Sequence, residues 1–307
     1  SVGYNPDTTS SGSYGTWSVG PAITFNRCYI GGSGTQDAAL IFGGYVGPSN
    51  YNCTEEYDGV SWAKVNNMIT ARRALWGDGI VNATLAGAGY SPNANTCTEE
   101  YNGSNWAAGG ALITARANAD GAGTVNAGLY FGGRSGGTKF ADTEHYDGST
   151  WSAGGSLSSV AYTVGGAGTQ NAALAIGGNL HDPVNSDDVE HYNGINWSIG
   201  TPITISRRRP ASAGTQNAAF AAGGDFPGFA GVTEEYNGTT WTNSGALSTG
   251  RGYFHGAGNT SKGLAAGGNT PTMVGCTELY NGGTFHGTLS AWSAGGALIT
   301  AAKDFGG

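Results

Sequence analysis

The sequence predicts an all-β protein, a β-propeller of four-stranded blades, and three observations support this prediction. The motif Thr-Glu-Glu-Tyr-Asn-Gly-Thr-Thr-Trp at 233–241 recurs along the chain, and seven of the eight tryptophans are spaced 44 to 51 residues apart. Glycine supplies 57 of 307 residues, which disfavours long helices because glycine in a helix costs about 1 kcal/mol relative to alanine. Each repeat also carries tight-turn signals. A repeat period of about 45 residues is typical of a solenoid or a propeller. A propeller is favoured because it leaves only short strand edges.

The fifth repeat shows how one unit is built. Arg207 opens a first strand, Gly-Thr-Gln-Asn at 214–217 makes a tight turn, and a strand of small residues at 218–222 ends in a double glycine. After a loop, the Thr-Glu-Glu-Tyr strand is joined to the strand carrying Trp241 by an Asn-Gly pair. Asn-Gly and Asp-Gly are strong hairpin signals because both residues tolerate positive φ. Every unit has such a pair, so four antiparallel strands per unit are predicted.

The repeat count favours six blades, with seven as the alternative, in a single domain. Residues 1–20 form an N-terminal segment with a degenerate copy of the motif end at Trp17, and residues 21–295 form the propeller. Residues 296–307 form a C-terminal segment that starts a further strand or takes part in closure. Since a ring commonly closes by completing one blade from both termini, either the Trp17 strand or the segment at Phe285 is expected to complete the last blade.

Charge and hydropathy exclude two classes of function. The net charge is -8 and the chain has only four lysines, so no basic surface for a phosphate backbone is expected and nucleic-acid binding is not predicted. The longest apolar runs fall far below the roughly 20 residues that span a bilayer. The first residues also lack a basic-then-apolar leader. The chain is therefore expected to be soluble and unanchored, with no membrane insertion.

One pair of opposite charges recurs in nearly every unit. A pore lined by charges is one interpretation, but catalytic and transport sites are asymmetric, and a feature of every unit is expected to serve the unit itself. Bidentate bonds between arginine and carboxylate that tie one strand to another are therefore predicted. The fourth unit has Ala161 in place of the arginine. The pairs comprise Arg27, Arg72, Arg116, Arg207 and Arg251 with Glu55, Glu99, Glu144, Glu234 and Glu278, and Glu190 stands alone.

The remaining titratable residues predict neither a metal nor a cofactor. The four cysteines are expected to be free and partly buried, because equivalent positions on neighbouring blades lie beyond the roughly 7 Å that a disulfide spans. His145 and His191 replace the second glutamate of the motif, on the opposite strand face, and are expected to be surface variants. Arg73, Arg208 and Arg209 are expected to be solvated edge residues rather than anion ligands.

The loops between the second and third strands differ from unit to unit while the framework is nearly uniform. In an up-and-down blade all six of these loops, with the connections between blades, emerge on one face, and the uniform tight turns lie on the other. Function on a repeat scaffold tends to lie in loops held by rigid strands, and aromatic faces with polar neighbours suit sugars or a protein partner. The predicted ligand-binding residues are Tyr45, Tyr51, Tyr90, Phe140, His181, Asp182, Phe226 and Phe229.

A double glycine ends the second strand in five units, and in the motif that follows a tyrosine precedes a tryptophan by five residues. The double glycine and the spaced tyrosine and tryptophan together resemble the repeats of the kelch family, over nearly all of the chain. The resemblance implies that the double glycine closes the second strand near the packed centre and that the tyrosine and tryptophan pack between blades. Some kelch propellers are copper oxidases, but no stretch here gathers tyrosine, cysteine and histidine ligands, so an enzyme is not expected. The double glycines lie at 43–44, 132–133, 177–178, 223–224 and 267–268.

Near-identical units rich in glycine, alanine and threonine, such as residues 165–174, resemble the kelch-like repeats of tail-fibre and other virion proteins of marine bacteriophages. The resemblance implies a non-enzymatic binding module, extracellular or on a virion surface, that contacts a host surface glycan or protein. The alternative is a structural spacer or assembly subunit that associates with other virion proteins or with copies of itself. A kelch-type oxidase or a glycan-acting enzyme is a third hypothesis.

Overall fold

The computed structural model describes residues 14–181, 184–225 and 228–283, without the side chains of residues 180, 181 and 184. These residues contain strands and turns but no helix, and hence no helix suited to crossing a membrane. Six four-stranded antiparallel sheets follow one another around a central axis. The predicted all-β propeller is therefore confirmed with six blades, and the alternative of seven blades is wrong.

The strands follow the repeats in chain order, after β1 (Thr16–Gly20). Blade 1 contains β2 (Gly31–Gly34), β3 (Ala39–Phe42), the short ribbon β4 (Tyr45–Val46) and β5 (Ser49–Asn50), β6 (Thr54–Tyr57) and β7 (Trp62–Val65). Blade 2 contains β8 (Trp76–Ile80), β9 (Ala83–Gly87), β10 (Thr98–Tyr101) and β11 (Trp106–Ala108). Blade 3 contains β12 (Asp120–Thr124), β13 (Ala127–Phe131), the ribbon β14 (Arg134–Ser135) and β15 (Thr138–Lys139), β16 (Thr143–Tyr146) and β17 (Trp151–Ala153).

The second half of the ring repeats this plan. Blade 4 contains β18 (Gly165–Thr169), β19 (Ala172–Ile176), the ribbon β20 (Asn179–His181) and β21 (Val184–Asn185), β22 (Val189–Tyr192) and β23 (Trp197–Ile199). Blade 5 contains β24 (Ala211–Thr215), β25 (Ala218–Ala222), β26 (Thr233–Tyr236) and β27 (Trp241–Ser244). Blade 6 contains β28 (His255–Gly258), β29 (Lys262–Ala266), β30 (Thr277–Asn281) and β1.

The N-terminal strand closes the ring. β1 pairs with β30 so that Trp17 lies opposite Tyr280, and it takes the place of the fourth strand of blade 6. The innermost strands β2 and β28 pack against each other, which joins the first blade to the last. Of the two expected candidates for closure, the Trp17 strand therefore completes the blade. The segment at Phe285 lies outside the described residues, as does the segment 296–307.

The core consists of apolar layers between neighbouring blades, to which the motif tyrosine and tryptophan contribute. The indole N–H of the tryptophan also crosses to the preceding blade, where it donates to the threonine that opens the third strand. Five of the six blade boundaries have this bond, and at the sixth Val189 offers no acceptor to Trp241, whose buried Nε1 has no partner. The bonds run from Trp62 to Thr277, Trp106 to Thr54, Trp151 to Thr98, Trp197 to Thr143 and Trp17 to Thr233, at 2.9–3.0 Å.

In five of the six repeats, the recurrent arginine bonds the connection between two blades to both of those blades. The carbonyl oxygen of Arg72 accepts the N–H of Gly44 in blade 1, while its guanidinium lies 2.9 Å from the carboxylate of Glu99 in blade 2. The predicted arginine–glutamate bonds are present, yet each pair has one direct N–O contact rather than two. The second carboxylate oxygen is occupied by a backbone N–H of the connection, from Ile69 in this case, at 2.7 Å.

The fourth repeat lacks this fastening. Ala161 keeps the backbone bond to Gly133, but Glu190 has no basic partner within the described part of the chain and instead accepts the N–H and the hydroxyl of Ser158. A small cavity of about 20 Å³ lies beside Ala161 and Glu190 and is also lined by Gly177. It occupies the place that a guanidinium fills in the other repeats.

Three glutamines of the tight inner turns also join neighbouring blades. Gln216 donates from Nε2 to the carbonyl oxygens of Ala173 and Tyr192 in the preceding blade, at 3.0 and 2.7 Å. Gln36 and Gln170 make the equivalent pair of bonds. The sequence predicted a turn at these places, whereas the structure shows that the turn also carries an inter-blade bond.

Candidate functional site

The six variable loops and the six blade connections lie on one face, as predicted. In every repeat the backbone at the start of the loop pairs with the connection, for example at Arg73 and Tyr90, so the loop and the connection are held side by side. The tight turns of each blade lie at the opposite ends of the strands. We call these surfaces the loop face and the turn face.

A ring of six residues surrounds the axis on the loop face, two positions after each recurrent arginine or its replacement, Ala161. All six have φ between 52° and 61°, although none is glycine, and such conformations cost free energy in non-glycine residues and are frequent at functional sites. Their backbones hold them, since the N–H of Ala74 donates to Tyr29 and the same bond recurs in four further repeats. We call Tyr29, Ala74, Asn118, Thr163, Arg209 and Tyr253 the collar.

A cleft of about 360 Å³ opens between one side of the collar and the adjoining variable loops. We call it the axial cleft. Arg73 lies at its wall with its guanidinium carbon 4.6 Å from the ring centre of Tyr45 and 4.9 Å from that of Tyr90, and its Nη1 donates to Asn50. The lining residues are Tyr29, Arg73, Ala74, Tyr90, Ala94, Ala117, Asn118, Arg134, Gly136 and Arg209.

Two further arginines reach the same cleft. The Arg134 guanidinium lies 4.8 Å from the ring centre of Tyr162, and that of Arg209 lies 4.0 Å from the ring centre of Tyr253, to whose hydroxyl it also donates. Arg209 is only 13% exposed, and this burial lowers its pKa while burial raises the pKa of Tyr29. The expectation of a solvated edge residue was wrong for Arg209, because closure of the ring brings its side chain to the partly enclosed axis. Arg73 is half-buried in the wall of the cleft. Arg208 is 27% exposed and pairs with Asp225.

The structure brings together only part of the predicted binding set. Tyr45 and Tyr90 contact the same arginine at the axial cleft, and Phe229 packs against the collar residue Tyr253 at a centroid distance of 6.2 Å. Tyr51 instead packs against Phe25. The half-buried Phe140 does not line the axial cleft. The His181 side chain and the residues Asp182 and Phe226 lie outside the described part of the structure.

Sequence reasoning missed the collar, although a signal was present. Alignment of the repeats on the recurrent arginine places Tyr29, Asn118, Arg209 and Tyr253 in one register, and these positions differ from repeat to repeat. Arg209 was assigned to a solvated edge, and the other three lie directly before the innermost strand, in a segment expected to serve only as a connection. Their proximity results from the closed ring.

Beneath the collar, a channel of about 120 Å³ follows the axis between the innermost strands. Burial raises the pKa of Asp78 and of Asp120 to about 7, and it lowers the pKa of His255 to about 4. Each carboxylate bridges two blades, since Asp78 accepts the N–H of Gly79 and of Gly123 at 2.7 and 2.8 Å. Both oxygens are thus occupied by backbone donors, which fits a structural role.

The described residues hold no cluster of three or more histidine, cysteine or acidic side chains suited to a metal. The four cysteines are free, as predicted. His145 lies on the predicted strand face, but it is half-buried and its Nε2 is 2.6 Å from the hydroxyl of Tyr192 in the next blade, so the description as a surface variant was wrong. His191 makes a longer contact of the same kind with Tyr236, at 3.3 Å. This position joins blades because the tyrosine of the next blade's third strand reaches it with its hydroxyl.

The fold has relatives among solved structures. The chain is similar to YjhT, with 13% sequence identity, a TM-score of 0.69 and coverage of 86% of this chain and 96% of that one. At this identity the likeness shows the propeller fold alone. No protein-family model matches the sequence, and no characterised protein matches it at the sequence level.

Proposed function

We propose that the protein is a non-enzymatic binding module that holds a surface glycan at the axial cleft. The observation that supports this proposal is the cleft itself, in which tyrosine rings and guanidinium groups line about 360 Å³ on the diversified face of a rigid ring. Sugar rings stack their C–H faces on aromatic side chains, and their hydroxyls accept hydrogen bonds from fixed donors. Tyr90 suits the first role, since its side chain is exposed by 36% at the rim.

The setting that we propose is extracellular, on a virion surface, as part of a tail fibre or a decoration protein. The support is the repeat style, which resembles the kelch-like repeats of marine bacteriophage virion proteins. In that setting the partner is a glycan of the host surface, and a host protein is the alternative partner. The loop face would point towards the host, and the turn face or the outer strands would point towards the virion.

Retention on an immobilised polysaccharide panel and on intact candidate host cells tests the proposal, with released sugar measured in the same samples. Tyr90→Ala is expected to weaken retention about tenfold or more, because stacking on an aromatic ring contributes roughly 1–3 kcal/mol. Tyr14→Ala is the matched control, since Tyr14 is 73% exposed beside the outer strand β1 and remote from the cleft. Retention without release supports a binding module. Release of sugar would establish an enzyme instead, and self-association without any retention would favour a structural subunit.

A further inference from the structure

The three arginines of the axial cleft are not neutralised by any lining residue that the structure describes. The chain carries a net charge of -8, yet no aspartate or glutamate is among the described residues that line this cleft. Among the described residues, neither Arg73 nor Arg134 forms an ion pair. A partly desolvated guanidinium without a carboxylate is unfavourable on its own, and it becomes favourable when a ligand supplies the anion.

Arg209 adds a partly satisfied donor to this group. Asp225 is bound closely by Arg208, at 2.8 and 3.0 Å, and reaches Arg209 only at 3.5 Å. The Nε of Arg209 is buried without a hydrogen-bond partner, as is the Nε of each recurrent arginine, so this atom does not distinguish Arg209 from them. Among the described residues, the hydrogen bonds of Arg209 to Asp225 and Tyr253 both use Nη1. Its Nη2 therefore keeps unused donor capacity, while stacking on Tyr253 holds the guanidinium in one orientation.

The same contacts order the other two guanidiniums. Arg73 packs against both Tyr45 and Tyr90, and Arg134 packs against Tyr162. Ordering long side chains before binding reduces the entropy that a ligand must overcome. Planar guanidiniums that are held in place suit oxyanions such as carboxylate and sulfate, whose oxygens accept paired N–H bonds.

We infer that the saccharide bound at the axial cleft is acidic, and that Arg73, Arg134 and Arg209 bind its sulfate or carboxylate group while the tyrosine rings bind the sugar. The inference rests on the proposed function for the saccharide, but the anion site has its own test. It extends the proposal from a glycan in general to a sulfated or uronate-containing one. It also assigns a ligand role to Arg73 and Arg209, which the sequence alone placed at a solvated edge.

The anion site is tested with inorganic sulfate. The rise in melting temperature in sodium sulfate over sodium chloride at equal ionic strength is expected to be larger for the wild type than for Arg73→Gln or Arg134→Gln. The general stabilising effect of sulfate acts on all variants alike, so the difference reports the site. Lys262→Gln, which removes one charge at 59% exposure on the turn face, is the control and should behave like the wild type. An identical sulfate effect in all four proteins would overturn the inference.

The saccharide is tested by titration with a sulfated polysaccharide, a polyuronate and a neutral polysaccharide of matched length. The inference is supported if the wild type binds at least one charged polymer and either arginine substitution weakens that affinity about tenfold. Lys262→Gln should leave the affinity within about twofold of the wild-type value. Comparison of the two charged polymers distinguishes sulfate from carboxylate. Equal binding of neutral and charged polymers, unaffected by the arginine substitutions, would overturn the inference and leave the proposed function standing. Binding of none of the polymers, with the sulfate effect intact, would overturn the proposed glycan function and retain the arginines as an anion site.

Discussion

Val189→Thr is expected to stabilise the protein, against the usual effect of placing a hydroxyl in a core. Val189 is completely buried and stands where the other five repeats have threonine, so the buried Nε1 of Trp241 has no partner. Threonine has the same branched shape as valine, and the equivalent bond from Trp151 to Thr98 is 2.9 Å long. The substitution supplies the missing acceptor without a change of shape.

The magnitude follows from two opposing contributions. Leaving a buried donor unsatisfied costs about 1–3 kcal/mol, which the new bond removes. Replacing a buried methyl by a hydroxyl costs about 0.8 kcal/mol of apolar burial. A net gain of about 1 kcal/mol is therefore expected, and for a protein of this size it corresponds to a rise in melting temperature of about 2 °C.

Three variants make the test decisive in thermal and urea unfolding followed by tryptophan fluorescence. Thr98→Val removes an existing bond and should lower stability by about the amount that Val189→Thr adds, so the double variant should be close to the wild type, because distant sites add. Val164→Thr is the control for a buried hydroxyl with no assigned donor, and it should destabilise. Slower solvent exchange of the Trp241 indole proton would show the bond directly. Destabilisation by Val189→Thr equal to that by Val164→Thr would refute the reasoning.

Three further predictions concern buried charges. Arg72→Ala leaves the buried carboxylate of Glu99 without its cation, so it should lower the free energy of unfolding by about 3–5 kcal/mol in urea titration. A loss under about 1 kcal/mol would contradict the role of Arg72 in joining the blades. Ala161→Arg should raise the melting temperature by restoring a partner to Glu190, and a fall would show that the repeat has closed around alanine. The raised pKa values of Asp78 and Asp120 mean that the folded state retains their protons to about pH 7, so the stability that they contribute is complete below about pH 4 and is lost as the pH rises through about 7. The double variant with asparagine at both positions should therefore lose less stability than the wild type between about pH 5 and pH 8 in urea titrations, and equal losses would refute the assignment.

The fold could be predicted from the sequence because each repeat carries its own local signals. The Asn-Gly turns, the double glycines and the tryptophan spacing each depend on a few neighbouring residues. They indicate the strands and the composition of the two faces, and they favour six blades over seven. The double glycine has a direct geometric reason, since Gly224 has a φ of +102° and a side chain there would meet the carbonyl oxygen of Arg208. Closure was left open between Trp17 and Phe285, because both carry the chemistry of an outer strand and only the pairing of β1 with β30 distinguishes them.

The candidate site could be predicted only in part because it is formed by residues far apart in the chain. Tyr45 and Tyr90 were found through the variability of their loops, whereas Arg73 was assigned to solvent because an isolated arginine doublet gives no information about what surrounds it. Tyr29 and Arg209 lie 180 positions apart in the sequence and line one cleft only after the ring has closed. Local patterns therefore locate the loop face, and the three-dimensional ring is needed to locate the cleft.

The collar explains how a nearly uniform framework can carry a diversified site. In the framework, side chains make the bonds between blades, and the tryptophan recurs in all six blades and the arginine in five of the six repeats. In the collar, the backbone makes the bond, from the N–H of one residue to the carbonyl oxygen of the preceding one, whatever the side chain is. Tyr29, Ala74 and Thr163 hold the same conformation with three different side chains. Because the side chains are not needed for ring closure, they are available to shape the mouth of the axis, and an asymmetric site can arise on a six-fold framework without weakening it.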